Sequence, residues 1–207
     1  MQIVTLPVGM IQTNCYIVGC PKSGEGVVID PGGHPERILA EIERLGLSIQ
    51  YVFNTHAHFD HTDANGAIVK ATGAPLALHP EDRALLAASG GAALFGLQAQ
   101  PSPPPDRDLH DGDEIRVGSL NFQVLHTPGH TPGHVCFYEP QEGVLFDGDV
   151  LFFRGVGRTD LPGGSWQQLL DSIQRRLFVL PDETVVYSGH GPATTIGDEK
   201  RQNPWLQ

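Results

Sequence analysis

The segment Asn-Thr-His-Ala-His-Phe-Asp-His-Thr-Asp-Ala-Asn-Gly, residues 54–66, constrains this chain more than any other. It packs three histidines and two aspartates into thirteen residues, directly after the apolar run Tyr51-Val52-Phe53. In extended backbone, residues i and i+2 point the same way, so His56 and His58 can reach one metal ion together. Asp60 and His61 follow where the chain turns into its next helix, and these two can face a neighbouring ion. The spacing is not that of a helical H-E-x-x-H site, whose histidines are four apart. Asp63 and Asn65 complete the polar cluster but are not expected to ligate, and a helix-start role suits Asp63 better.

Three downstream stretches supply further ligand types. His130 lies in the Pro/Gly turn of "HTPGHTPGH" (126–134), after the strand-like "FQVL". Asp149 lies just past the strand in "LFDGDVLF" (145–152), and His190 just past the last strand in "VVYSGHGP" (185–192). Four apolar strands thus each deliver a candidate ligand in the loop that follows, a common way to build a site. Imidazoles and carboxylates without thiolate suit zinc, iron or manganese. Seven ligands exceed one tetrahedral site and suit two ions. His56, His58 and His130 would hold one, Asp60, His61 and His190 the other, with Asp149 bridging them. Ions about 4 Å apart can share a hydroxide and polarise a carbonyl. Asp111 and Asp113 share the tripeptide "DGD" with residues 147–149 but read as a turn. His34, His79 and His110 read as surface or turn residues. His126 and His134 flank the ligand turn, as supporting partners of a ligand or as plain structural residues.

The rest of the chain frames these loops. Short β-branched strands are expected at 2–6, 14–19, 26–30, 50–53 and 75–79, and helices at 35–45, 63–72 and 80–88. The Ala-, Gly- and Pro-rich stretch from Ser89 to Pro105 reads as a surface connector or as a mobile loop over a site. Four more strands, a helix at 165–177 with Ser165 as N-cap and a stripe of Trp166, Leu169, Leu170 and Ile173, and a last strand "TVVYS" follow. The expectation is one α/β domain over residues 1–207, with sheets packed on each other and helices outside. No apolar run approaches a membrane span, and the N-terminus lacks a secretory pattern, so the cytoplasm is the expected location. A net charge of −11 disfavours a nucleic-acid partner. Cys15, Cys20 and Cys136 form no C-x-x-C pair and read as buried free thiols.

The stretches "HAHFDH", "TPGHTPGH", "FDGDVLF" and "SGHGP", in that order across residues 56–190, resemble the metallo-β-lactamase superfamily. The resemblance implies an αββα sandwich of two mixed β-sheets flanked by helices, and the ligand division given above. "QTNCYIV", "VVIDPGG" and "GRTDLPGG" resemble the glyoxalase II (hydroxyacylglutathione hydrolase) group, particularly its small bacterial members. True β-lactamases are a weaker match, being usually exported and commonly carrying a zinc-binding thiolate where this chain has Asp149. The glyoxalase II resemblance implies hydrolysis of S-D-lactoylglutathione or a related acyl-thiol by a hydroxide shared between two divalent transition ions. Zinc is the first expectation for those ions, iron or manganese the alternatives. Asp60 and Asp149 would be the catalytic carboxylates and a small-molecule thioester the partner. Two departures stand out. With 17 residues following His190, the group's C-terminal helical domain is not expected here, and its Lys and two Tyr correspond to Arg158, Asp160 and Pro192. Arg158 is the candidate substrate-binding cation. "RGVGRTD" (154–160) also resembles the persulfide dioxygenases, which use one iron held in positions like His56, His130 and Asp149.

Overall fold

In the computed structural model, which describes residues 1–207, the chain builds two six-stranded sheets and a small ribbon. The first sheet runs in sequence order: β1 (Gln2–Val8), β2 (Thr13–Gly19), β3 (Glu25–Ile29), β4 (Ser48–Phe53), β5 (Leu76–Leu78) and β6 (Arg107–Asp108). β1, β2 and β3 are antiparallel, and β3 to β6 are parallel. Later come β7 (Glu114–Val117), β8 (Leu120–His126), β9 (Val135–Glu139) and β10 (Val144–Gly148). The ribbon β11 (Leu151–Phe152) and β12 (Gly155–Val156) follows, then β13 (Val185–Ser188) and β14 (Thr194–Thr195). The second sheet has the order β14-β13-β10-β9-β8-β7. By packing, the chain divides into one unit of Met1–Leu109 with Arg116–Leu120 and another of His110–Ile115 with Asn121–Gln207.

In the first unit, α1 (Pro35–Leu45) forms as its sequence predicts. Pro35 occupies the first turn, Ile38 and Ile42 are buried, and Gly46 closes the helix at φ 65°. That conformation is nearly free of cost only for glycine. Ile38 and Ile42 join Ile17, Val28, Val52, Ile68 and Leu76 in the unit's core. The helix expected over 63–72 is α3 (Asn65–Thr72), starting two residues later, and a separate short helix, α2 (Phe59–Thr62), precedes it. Ala64 breaks them apart at φ −101°, ψ 2°, and its N–H bonds to the carbonyl of Pro31, outside either helix. The helix expected over 80–88 is a 3-10 turn, Pro80–Asp82, followed by α4 (Arg83–Ala87). Residues 89–95 coil into further 3-10 turns with Gly90 and Gly91 both left-handed.

In the second unit, α5 (Trp166–Ser172) begins at Ser165, whose Oγ accepts the Gln168 N–H, and widens into a π turn over Ile173–Leu177. Leu169, Ile173 and Leu177 are buried with Leu145, Val150 and Val186. Trp166, expected in that stripe, is 41% exposed. Helical side chains lean toward the N-terminus, so a first-turn residue projects past the start of the helix. The pattern reading also missed α6 (Ile196–Gln202), although Thr195 accepts a bond from the Asp198 N–H as an N-cap.

Topology gathers the loops that matter. β3 and β4 are parallel neighbours, so the segments after Ile29 and Phe53 leave one edge of the first sheet. β8 and β10 are both antiparallel to β9, and β10 is parallel to β13. The segments after His126, Gly148 and Ser188 therefore leave one edge of the second sheet.

Candidate metal centre

The first unit presents His56, His58, Asp60 and His61 in the turn after β4, all buried or nearly so. The rings of His56 and His61 lie 4.1 Å apart between centroids, and those of His56 and His58 4.8 Å. Behind them stands Asp30, at the end of β3 and 1% exposed. Its Oδ1 accepts the Thr55 N–H at 2.8 Å, and its Oδ2 accepts the Thr55 hydroxyl at 2.6 Å. The same Oδ2 lies 2.9 Å from His61 Nδ1, which must donate to it. Because the Thr55 hydroxyl proton goes to Asp30, its oxygen accepts from His56 Nδ1 at 3.0 Å. One carboxylate thus sets the tautomer of two histidines and leaves both Nε2 atoms as lone-pair donors, as metal-ligating histidines require.

Other residues fix the turn itself. Asp82 Oδ2 accepts the Ala57 N–H at 2.9 Å, between His56 and His58. Asn54 Nδ2 donates to the His61 carbonyl, and its side chain pairs with that of Asn65. Thr13, on β2, donates to Asp60 Oδ2 at 2.8 Å.

The second unit presents His130, Asp149 and His190. Asp149 Oδ2 lies 3.5 Å from His130 Nε2 and 3.7 Å from His190 Nε2. His130 Nδ1 donates to the Arg158 carbonyl at 2.7 Å, which again leaves Nε2 for a metal. His134 Nε2 accepts the Asp149 N–H at 3.1 Å, so its proton is on Nδ1 and points to Thr127 Oγ1 at 3.0 Å. His134 is therefore a positioning residue for Asp149. His126 has a different role: its Nε2 donates to the Pro132 carbonyl and braces the 126–134 turn. Gly157 packs so closely that a Cβ there would overlap the Asp149 carbonyl oxygen.

The donor atoms fit a transition ion. Two ligands about 2.1 Å from one tetrahedral ion stand about 3.4 Å apart. The Asp149–His130, Asp149–His190 and Asp60–His61 separations of 3.5, 3.7 and 3.3 Å all lie close to that value. They are too long for strong hydrogen bonds.

Several expectations need adjusting. His79, read as a surface or turn residue, is the turn residue of the two: it is 7% exposed and caps the Pro80–Asp82 turn, accepting the Glu81 N–H through Nδ1. His34 and His110 are exposed, as expected. Asp113 accepts the His110 N–H, as a turn residue does, whereas Asp111 accepts the N–H of His126, 15 residues away. Asp63 does not start a helix; it caps the end of α2, and its Oδ1 accepts the Gln100 N–H at 2.6 Å. Arg158 is not an unengaged cation. Its guanidinium grips Asp160 through two bonds of 2.7 and 2.8 Å, and those bonds first of all hold the Asp160 carboxyl down to about 2. Burial, with the Asp149 charge in support, pushes the Asp147 carboxyl well above its ordinary value. The residue that sequence reasoning passed over is Asp30. The signal was present, an acid ending the strand of "VVIDPGG", but nothing local says that it faces a histidine 31 positions away.

The family model of the metallo-β-lactamase superfamily matches residues 8–190, across both units. The chain belongs to that superfamily, and its two mixed sheets flanked by helices are the expected αββα fold. It is 39% identical to the hydroxyacylglutathione hydrolase GloC of Haemophilus influenzae over 100% of this chain and 98% of that protein. Among solved structures it is similar to the BLEG-1 B3 metallo-β-lactamase, at 41% identity, full coverage of both chains and a TM-score of 0.94. TTHA1623, solved in a di-iron-bound form, gives 44% identity, full coverage of both chains and a TM-score of 0.89. ETHE1 from Myxococcus xanthus gives 36% identity over 100% of this chain and 84% of that one, with a TM-score of 0.82. The superfamily makes this chain a metal-dependent hydrolase by class, with His and Asp groups that suit divalent metals.

Proposed function

We propose that the chain is a dinuclear metal-dependent thioester hydrolase of the glyoxalase II type, acting on S-D-lactoylglutathione or a related acyl-thiol. The observation that carries this reading is Asp149 Oδ2, which lies 3.5 and 3.7 Å from the Nε2 atoms of His130 and His190 and so supports a role as a carboxylate shared by two ions. His56, His58 and His130 would hold one ion, and Asp60, His61 and His190 the other. When bound, the two cations supply Lewis acidity, acidifying a water as nucleophile and countering charge on the carbonyl oxygen.

The protein's own contribution is positioning. Asp30 and Thr55 keep the Nδ1 protons of His61 and His56 away from the metal side. The Arg158 carbonyl does the same for His130, and His134 fixes the Asp149 backbone. Thr13 holds Asp60 by one carboxylate oxygen. The leaving thiolate needs no protein acid, because an ordinary thiol has a pKa of roughly 8.5. The Arg158–Asp160 pair supports a substrate other than glutathione as readily as glutathione itself, since the only basic side chain suggested by the sequence is already matched.

The likeness to ETHE1 favours a second reading, persulfide oxidation at a single iron. Metal analysis separates the two. Protein expressed in replete medium is expected to carry close to two transition ions per chain and to release thiol from lactoylglutathione. One ferrous ion with oxygen uptake on glutathione persulfide would replace the proposal with the dioxygenase, and no metal at all would overturn both. A β-lactam arm in the same assay tests the activity named for BLEG-1. We further propose a cytoplasmic location, with a small-molecule thioester as partner and neither nucleic acid nor membrane. The support is the −11 charge and the lack of any helix long and apolar enough to cross a membrane.

A further inference from the structure

A cleft of about 90 Å³ opens in the first unit beside Asp60. Its apolar walls come from three separate segments: Met10 in the β1–β2 turn, Phe59 at the start of α2, and Leu97 after the 3-10 turns. Gly9 and Gly32 also line it. A Cβ on Gly9 would come within 2.8 Å of the Gly32 carbonyl oxygen, and one on Gly32 would overlap the carbonyl oxygen of Asp60. No side chain larger than hydrogen can close the cleft from those positions, so the space is built into the backbone packing.

Leu97 does not hang from a loose loop. Its N–H bonds to the Ala92 carbonyl, and three residues later Asp63 accepts the Gln100 N–H. Asn65 then donates to Ser102 Oγ at 3.0 Å. On the near side, Gly90 sits against the backbone of His58 and Phe59, where a Cβ would clash. Residues 89–105, read from sequence as a connector or a mobile cover, are therefore tethered to the ligand-bearing turn and contribute a wall.

Exposed apolar side chains lie in the segments that form the cleft. Met10, Ile11, Leu94 and Phe95 are four of the eight exposed large hydrophobic residues in the chain. Phe95 lies 5.8 Å from Phe59 between ring centroids. Clustered exposed apolar side chains mark binding surfaces. No lysine or arginine lines the cleft, whereas Asp60 and Asp63 do.

The geometry points to this cleft as the binding site for an uncharged, apolar acyl arm of the thioester, a short alkyl chain rather than a carboxylate-bearing group. The inference rests on the thioester reading above and names its substrate class. Asp60 links the two, being both a candidate metal ligand and part of the cleft lining. Size limits the arm. A dry cavity of about 150 Å³ takes benzene, so the smaller space here suits a chain of about three to five carbons. Burying each methylene strengthens binding about fourfold.

The test uses metal-loaded protein and acyl thioesters of one neutral thiol, N-acetylcysteamine. From acetyl to butyryl, kcat/KM is expected to rise about tenfold, and the succinyl ester to fall below the butyryl one. Leu97→Asp and Met10→Glu should each flatten that chain-length preference to about onefold, while Val179→Asp, an exposed apolar residue elsewhere, leaves it intact. Calorimetry with the S-butyl and S-methyl thioethers of the same thiol gives a readout that needs no turnover. The butyl compound, three methylenes longer, should bind about 60-fold tighter to wild type and equally with the methyl one to Leu97→Asp. Equal or absent binding of the two thioethers by wild type overturns the cleft, as does a preference that survives both substitutions. If no thioester is hydrolysed under any metal but the thioether preference holds and is lost in Leu97→Asp, the hydrolase reading fails and the cleft stands.

Discussion

Asp149→Ala is expected to give a folded protein that has lost more than about 100-fold in kcat/KM and holds less than one metal ion per chain. The loss should exceed the upper end of what removing a supporting group costs a metal site, because a shared ligand goes. The backbone reason for expecting a fold is specific. The Asp149 N–H is held by His134 Nε2, and its carbonyl is packed against Gly157, so neither contact depends on the carboxylate. Among the side chain's neighbours are the Nε2 atoms of His130 and His190, at 3.5 and 3.7 Å. Metal content by elemental analysis, with thermal unfolding as control, separates the outcomes. Two ions and near wild-type hydrolysis would show that Asp149 does not bridge. One ion retained tightly would make it a ligand of a single site.

The second large effect is expected at Asp30, which touches no metal position and no substrate in the proposed scheme. Asp30→Asn keeps the shape and tolerates the backbone, whose φ of 52° is left-handed, a conformation open to Asn and Asp. It does not keep the hydrogen bonds. Asp30 accepts three, from Thr55 N, Thr55 Oγ1 and His61 Nδ1. An amide has one acceptor oxygen, so whichever way it turns, at least one donor faces an NH₂ group. His61 can escape by moving its proton to Nε2, which removes its lone pair from the metal side. Metal affinity should fall about 10- to 100-fold. The buried mismatch should cost about 1–3 kcal/mol of stability. Nitrogen chemical shifts of the imidazole read the tautomer directly, without turnover. An unchanged His61 tautomer together with unchanged metal affinity would reduce Asp30 to a packing residue.

These two residues mark how far the sequence could be read. Asp149 was legible because it sits in a loop directly after an apolar strand, as do His130 and His190, and strand ends are recognisable from alternation and turn residues. Asp30 occupies the same kind of position, at the end of β3, yet its role was invisible. Its partners are Thr55 and His61, brought near only because β3 and β4 pair in parallel with Ile29 opposite Phe53. The Arg158 carbonyl escaped for the same reason, and for His134 the sequence could not decide between a supporting partner and a plain structural residue. Both act through hydrogen bonds, which span 28 and 15 residues. Helix limits failed where a tertiary bond took over, as at Ala64, whose N–H goes to Pro31.

What the sequence by itself determined is the chemistry on offer. Residue types and their spacing specify imidazole and carboxylate donors, the strands that carry them, and a protein of the metallo-β-lactamase kind. Those are local properties, set by side-chain identity and by backbone periodicity. What only the tertiary structure decided is how the donors are held and what surrounds them. The tautomers depend on Asp30, Thr55 and Arg158, and the match of Arg158 to Asp160 depends on how residues 158–160 are folded. The apolar cleft exists because Gly9, Gly32 and Asp60 pack backbone to backbone while Met10, Phe59 and Leu97 converge around them. Hydrogen bonds and close packing act over a few ångströms of space, and only the folded chain sets which residues lie within that reach.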